Sequence, residues 1–155
     1  MTDFERTLVL AKPDAMQRGL AGEILSRLEQ RGLRLIGLKL IRMTTAIADR
    51  HYEEHIGKPF FAGLVAYMTS GPIVAAVFEG PDAVKAVRAT VGVTNPVEAG
   101  PGTIRGDYGL LKGRNLVHAS DSPASGLREA AIFFKDEELF GGWDRNLDQW
   151  LVSDN

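Results

Sequence analysis

Residues 115–126, NLVHASDSPASG, hold one of the three histidines of this 155-residue chain. A lone histidine after an apolar pair is more often a satisfied structural residue than a catalyst, but His118 has little bulk beside it, and a neutral imidazole near pH 7 can act as nucleophile or proton carrier. Ala119 and Ser120 leave room for a large group, and a helix N-terminus expected just downstream would offer free N–H groups to an anion. Three cations stand near the ends of expected elements. Lys12 closes the run TLVLAK on the strand face of Leu8 and Leu10. Arg88 occupies the i+4 place in a helical stripe of Val84, Val87 and Val91. Arg105 lies in a loop rich in Gly and Pro. Brought together, they would hold a phosphate chain through charge-assisted hydrogen bonds; kept apart, each is an ordinary surface charge with its head in water. Glu129 points away from the apolar stripe Leu127, Ala130, Ala131 and Phe134, yet Ile132 and Phe133 flank it. A partly covered carboxylate there would pair with an imidazole; a surface glutamate beside an oligomer contact is the other reading. His51 and His55, four apart on an expected helix, have a metal-ligand spacing, but with no third ligand nearby they read as a surface pair.

The elements that must position these groups are legible from periodicity. TLVLAK (7–12) reads as a buried strand. In 20–32, Leu20, Ile24, Leu25 and Leu28 have helical spacing and Gly32 is placed as a stop. Residues 33–43 alternate like a strand. Helical stretches follow at about 45–56 and 60–69, broken by GKP. Residues 71–80 form a strand closed by glycines, and 81–92 a helix with Pro81 suited to its first turn. The next twenty or so residues read as one long irregular loop of the kind that is functional or disordered. LVHA is one more short strand, then a helix begins with Ser122 as N-cap and Pro123 at its first position. The tail, 141–155, has no clear period. The order β-α-β-α-α-β-α-loop-β-α predicts an α/β (α+β) sandwich of ferredoxin-like type, a four-stranded antiparallel sheet with helices over one face. A doubly wound parallel sheet is the alternative.

Composition bounds the function. One domain spanning 1–155 is expected at this length, with 141–155 as a C-terminal tail. The net charge of −2 gives no general attraction to nucleic acid or anionic lipid. With no cysteine, disulfides, thiolate catalysis and Cys-based metal sites are excluded. There is no recognisable signal peptide and no apolar run near the roughly 18 residues of a membrane span. The expected location is cytoplasmic.

NLVHASD, together with TNPVEAGPGTIRGDYG and RTLVLAKPDA, resembles nucleoside diphosphate kinase, from about residue 5 to residue 140. The resemblance implies ping-pong transfer of the γ-phosphate of a nucleoside triphosphate, ATP as usual donor, to a nucleoside diphosphate through a phosphohistidine. It makes His118 the nucleophile, with Glu129 and Ser120 orienting its ring. Lys12, Arg88, Thr94 and Arg105 would hold the phosphates, and Tyr52 would lie close to the transferred group. Phe60 would stack on the base, Leu64 border it, and Asn115 meet sugar and phosphates. Mg²⁺ would ride on the nucleotide phosphates, with no metal site in the protein itself. Ala119 stands where many members carry glycine, and Lys112 where the family usually has an apolar residue against the base. The tail implies a homo-oligomer, a hexamer rather than a tetramer, with Trp143, Trp150, Leu151 and Val152 covering a neighbour. A catalytically silent nucleotide-binding regulatory module on the same fold is the competing reading, and a protein-directed phosphohistidine donor a third.

Overall fold

The computed structural model describes residues 4–152. Residues 1–3 of the expected single domain and the last three of its tail lie outside the described residues.

Four strands form one antiparallel sheet in the order β2-β3-β1-β4: β1 is Phe4–Ala11, β2 Arg34–Arg42, β3 Pro72–Pro81 and β4 Val117–Ala119. This is the four-stranded antiparallel sheet of ferredoxin-like type expected from the sequence. Side-chain alternation along β1 divides the core. Val9 and Ala11 face one cluster with Ile24, Leu28, Val87, Val91 and Ile104. Leu8 and Leu10 face a second with Ala48, Met68, Ala130 and Phe133. Helices therefore cover both faces of the sheet, where the sequence suggested one. On the first face lie α2 (Ala21–Arg31), α5 (Ala83–Val91) and α6 (Ile104–Tyr108); on the second lie α3 (Thr45–His51), α4 (Phe61–Met68) and α7 (Pro123–Phe133). Leu8, Leu10 and Phe78 are wholly buried, each contributing roughly 1.5–3 kcal/mol from apolar burial.

The end signals behave as their chemistry demands. Gly32 caps α2 at φ 110°, a left-handed conformation open to glycine at little steric cost. The Ser122 side chain accepts from the Ser125 N–H, with Pro123 in the first helical turn. Pro81, by contrast, ends β3, and α5 starts after Asp82. The stretch 93–115 is not one irregular loop: it contains short 3-10 turns at Pro96–Glu98 and Lys112–Arg114 with α6 between them. Two short helices escaped the periodicity, α1 (Pro13–Gln17) directly after β1 and α8 (Asp148–Leu151) in the tail. Both are too brief for a 3.6-residue pattern to repeat. Among the described residues no helix is long and apolar enough to cross a membrane.

Candidate active site

His118 sits in the middle of β4 opposite Leu10. Its neighbours Val117 and Ala119 belong to the first core cluster, so alternation turns the imidazole toward α7 and α3 on the other face. Glu129 meets it there. Nε2 of His118 lies 2.9 Å from Glu129 Oε1. The Ser120 hydroxyl donates to the same oxygen at 2.7 Å, while its Oγ accepts from the buried Leu8 N–H at 2.9 Å. Burial alone would raise the Glu129 carboxyl. The hydrogen bond and charge of His118 and the Ser120 hydroxyl outweigh that and hold it at about 2. An ionised carboxylate only accepts, so Nε2 carries the ring proton and Nδ1 keeps the lone pair.

Glu129 reaches this position because the helix face differs from the one expected. The buried residues of α7 are Gly126, Glu129, Ala130 and Phe133, whereas Leu127 and Ala131 are exposed. Gly126 explains the rotation. A Cβ there would stand 2.1 Å from the Arg6 carbonyl oxygen, so only glycine lets α7 press this closely on β1. Glu129 is thus a buried carboxylate within the apolar stripe, not a surface acid.

The cations gather along β4 and the residues just before it. Lys12, just past the end of β1, donates to Asn115 Oδ1 at 2.8 Å, and the Asn115 amide donates to the Thr94 carbonyl at 3.0 Å. Arg105 is buried, and its guanidinium donates to the carbonyls of Asn115, Gly92 and Val117 at 3.2, 3.0 and 2.6 Å. Arg88 is exposed on α5 and donates to the Ala119 carbonyl at 3.2 Å. Neither Lys12 nor Arg105 is a routine surface charge. Burial, then the charge of Arg105, brings the Lys12 ammonium down to about 8; burial, then Arg88, brings Arg105 down to about 10. Like charges depress one another in this way only when they share a small volume, and a bound polyanion would relieve the crowding.

Tyr52 and His51 close the other side. Tyr52 is buried, and burial followed by the Glu129 charge pushes its hydroxyl pKa upward, so it stays a neutral donor. His51 stands between Tyr52 and His118, its ring edge-on to theirs at 4.5 and 4.7 Å. Only 5% exposed, it is no surface residue. The useful neighbours of His51 are His118 and Glu129, far away in sequence, rather than His55. Phe60 caps the start of α4, half exposed and edge-on to His55 at 5.2 Å. Leu64, one turn on, packs against the second core cluster.

Sequence reasoning passed over the parts that lock these pieces together. Asp14, two residues after Lys12, accepts the Leu116 N–H at 3.1 Å and, through its other oxygen, the Tyr67 hydroxyl. The Arg114 guanidinium lies 4.2 Å over the Tyr67 ring. Together they tie α4, with Phe60 and Leu64, to the strand that bears His118. Leu116 itself is buried with φ at 75°, and Val117 N–H bonds back to the Asn115 carbonyl at 2.8 Å. That strained γ-turn, costing about 1–3 kcal/mol, sets where Asn115 and His118 point. The acid after Lys12 was a visible hint; the backbone angle at a leucine left none.

Comparison with known proteins decides the family. A family model described as nucleoside diphosphate kinase matches residues 5–139. The chain belongs to the nucleoside diphosphate kinase family. It is similar to the nucleoside diphosphate kinase of Chloroflexus aurantiacus, 62% identical over 149 residues that cover 96% of this chain and 99% of that one. It is also similar to that of Archaeoglobus fulgidus, 53% identical over 151 residues, 97% and 99% of the two chains. Among solved structures, a halophilic nucleoside diphosphate kinase from Halobacterium salinarum in complex with CDP superposes with a TM-score of 0.93 at 49% identity, covering 97% of this chain and 100% of that one.

Within this nucleoside diphosphate kinase fold, the two departures seen in the sequence lie at different places. The Ala119 methyl joins the first core cluster, on the side of the sheet away from the His118 ring. Lys112 is exposed, at the start of the turn that also bears Arg114. The tail is tied to its own chain: Arg34 donates to the Trp143 carbonyl at 2.5 Å and to Asp148 at 3.2 Å, and Arg145 donates to the Gly32 and Leu33 carbonyls. Trp150 remains exposed.

Proposed function

We propose that this chain transfers the γ-phosphate of a nucleoside triphosphate, ATP as usual donor, to a nucleoside diphosphate by way of a phosphohistidine at Nδ1 of His118. The observation that carries the reading is the Glu129–His118 pair. It commits Nε2 to a carboxylate and leaves the other nitrogen without a hydrogen-bond partner among the described residues, on a strand whose Asn115, Val117 and Ala119 backbone carbonyls hold Arg105 and Arg88 and whose Asn115 side chain holds Lys12. In the first half-reaction, the Nδ1 lone pair forms a bond to the γ-phosphorus as the bond to the bridging oxygen breaks. The nucleoside diphosphate leaves with that electron pair, and Glu129 offsets the positive charge on the ring. The second half-reaction is the reverse with a new diphosphate. Such a transition state spreads charge over the peripheral oxygens, so positioned cations do most of the work. Thr94 and Asn115 complete the phosphate contacts, Asn115 also meeting the sugar, with the Tyr52 hydroxyl near the transferred group. Phe60 stacks on the base and Leu64 borders it, a contact that any nucleobase satisfies.

Mg²⁺ enters this proposal as part of the nucleotide substrate. Among the described residues the one cluster of three His, Asp or Glu ligands contains two histidines, a poor set for a hard cation that prefers oxygen and keeps its waters. On the nucleotide, Mg²⁺ would neutralise charge between the phosphates. A homo-oligomer, a hexamer rather than a tetramer, belongs to the same reading. Exposed Leu38 and Leu40 on edge strand β2, with Phe140, Trp143, Leu147, Trp150 and Leu151 in the tail, support it. A cytoplasmic location and a single domain over residues 1–155 complete it. Incubation with ATP and a different nucleoside diphosphate should yield the new triphosphate, and His118→Ala should lower the rate by at least about 10⁴-fold. Absence of transfer by the unaltered chain would contradict the proposal.

A further inference from the structure

His51 takes no part in the transfer described above, yet it is built against the nucleophile. Its ring is edge-on to Tyr52, His118 and Phe133, and its Nδ1 is buried without a hydrogen-bond partner. Buried polar atoms are normally paired, so an orphaned ring nitrogen calls for an account. One ligating atom each from His51, His118 and Glu129 lie within 4.8 Å of one another. Two imidazoles and one carboxylate, with one side open, are the donor set of a tetrahedral zinc site that keeps a fourth position free. Nitrogen-rich donors of this kind select borderline divalent cations such as Zn²⁺ over Mg²⁺ or Ca²⁺.

We propose that His51, His118 and Glu129 form a binding site for Zn²⁺ or a chemically similar divalent transition metal, and that metal here and phosphate on His118 exclude each other. The exclusion rests on the role given to His118 above; the binding does not. His118 Nε2 and Glu129 Oε1 are 2.9 Å apart, and two ligands at ~2.1 Å on a tetrahedral centre lie about 3.4 Å apart. That pair opens slightly, and His51 closes the remaining gap without giving up a hydrogen bond at Nδ1, which has no partner. The metal takes the Nε2 lone pair, so the ring proton that Nε2 donated to Glu129 moves to Nδ1. No net proton is released, and Nδ1 loses the electron pair that would attack phosphorus. Arg128 Nη2, 3.7 Å from Glu129 Oε2, leaves Oε1 as the ligand oxygen.

The test is direct binding to the nucleotide-free full chain. Titration with Zn²⁺ should saturate at one ion per chain, and Co²⁺ should give the intense visible bands of a tetrahedral centre. His51→Phe keeps the edge-on packing and removes the ligand, so it should weaken Zn²⁺ binding by at least about 100-fold. Glu129→Gln should weaken it similarly, which keeps the proposal open to refutation if circular dichroism shows His51→Phe unfolded. Protein already phosphorylated by ATP should bind no Zn²⁺, and Zn²⁺-loaded protein should take no label until a chelator is added. No saturable binding below about 100 µM metal, or binding that both variants leave unchanged, would overturn the site. Metal binding that depends on His51 in a chain that never acquires phosphate would uphold the site and contradict the transfer reading instead.

Discussion

The proposed phosphate end and the proposed base end of the candidate site are built on different principles. At the phosphate end, His118, Glu129, Ser120, Arg105 and Asn115 are buried or partly buried, and each makes hydrogen bonds to other parts of the fold. At the base end, Phe60 is half exposed at the start of α4, and its neighbours are one ring and a lysine: His55 edge-on and Lys58 Nζ 6.0 Å over its face. Rigid, preorganised dipoles belong where charge develops, because they need no rearrangement at the moment of reaction. An exposed aromatic face belongs where selectivity is not wanted, since every base has a π-face and no buried polar group is left unpaired by the wrong one. The contrast predicts that damage at the phosphate end is costly and specific, whereas damage at the base end is mild and uniform.

Among changes that touch no proposed substrate contact, the largest effect should come from Gly126→Ala. The added methyl would meet the Arg6 carbonyl oxygen at 2.1 Å. Helix α7 must move off β1, at a cost of about 1–3 kcal/mol or more. A lower denaturant midpoint together with a fall in transfer rate would show that Glu129 is placed by this close approach. Normal stability and rate would mean that the helix position is not critical.

The pH dependence of Lys12 comes next. With its pKa held down near about 8, the ammonium is charged below that pH and neutral above it. The phosphate holding proposed for Lys12 is therefore largely present at neutral pH and is lost as pH rises through about 8, so kcat/KM should bend downward there, approaching tenfold per pH unit. Lys12→Arg, whose guanidinium stays charged, should remove that bend even if its absolute rate is lower. The smallest effect should be Phe60→Ala. Loss of one half-exposed stacking surface is worth about 1 kcal/mol, a KM increase of roughly 5-fold, nearly the same for purine and pyrimidine nucleotides. A large increase confined to one base would break the contrast between the two ends and point to specific readout, with exposed Lys112 as the residue to examine.

How much of this was legible in the sequence follows from the range of the forces involved. Local chemistry was readable: the Gly32 stop, the Ser122 cap with Pro123 behind it, and the alternation of β1 all act within one or two turns of chain. The motif around His118 and the cationic positions could be named because residue type constrains chemistry. What was hidden depends on distant partners. The face of α7 that buries Glu129 is set by the fit of Gly126 against β1, more than a hundred residues earlier. Arg105 spends three hydrogen bonds on carbonyls of separate segments, which no spacing rule anticipates. The left-handed Leu116 and the burial of His51 between Tyr52 and His118 are tertiary outcomes with no local mark. The groups that cluster with His51 are His118 from β4 and Glu129 from α7, and His55, its helical neighbour in sequence, is not among them.

The central claim is that Glu129 occupies one nitrogen of His118 and leaves the other to attack. The measurement that tests it most directly is phosphorus NMR of the chain after reaction with ATP and Mg²⁺, which distinguishes the two phosphohistidine isomers. The expected result is an acid-labile, alkali-stable phosphate on Nδ1 of His118, absent in His118→Ala. Phosphate on Nε2, on another residue, or nowhere would contradict it.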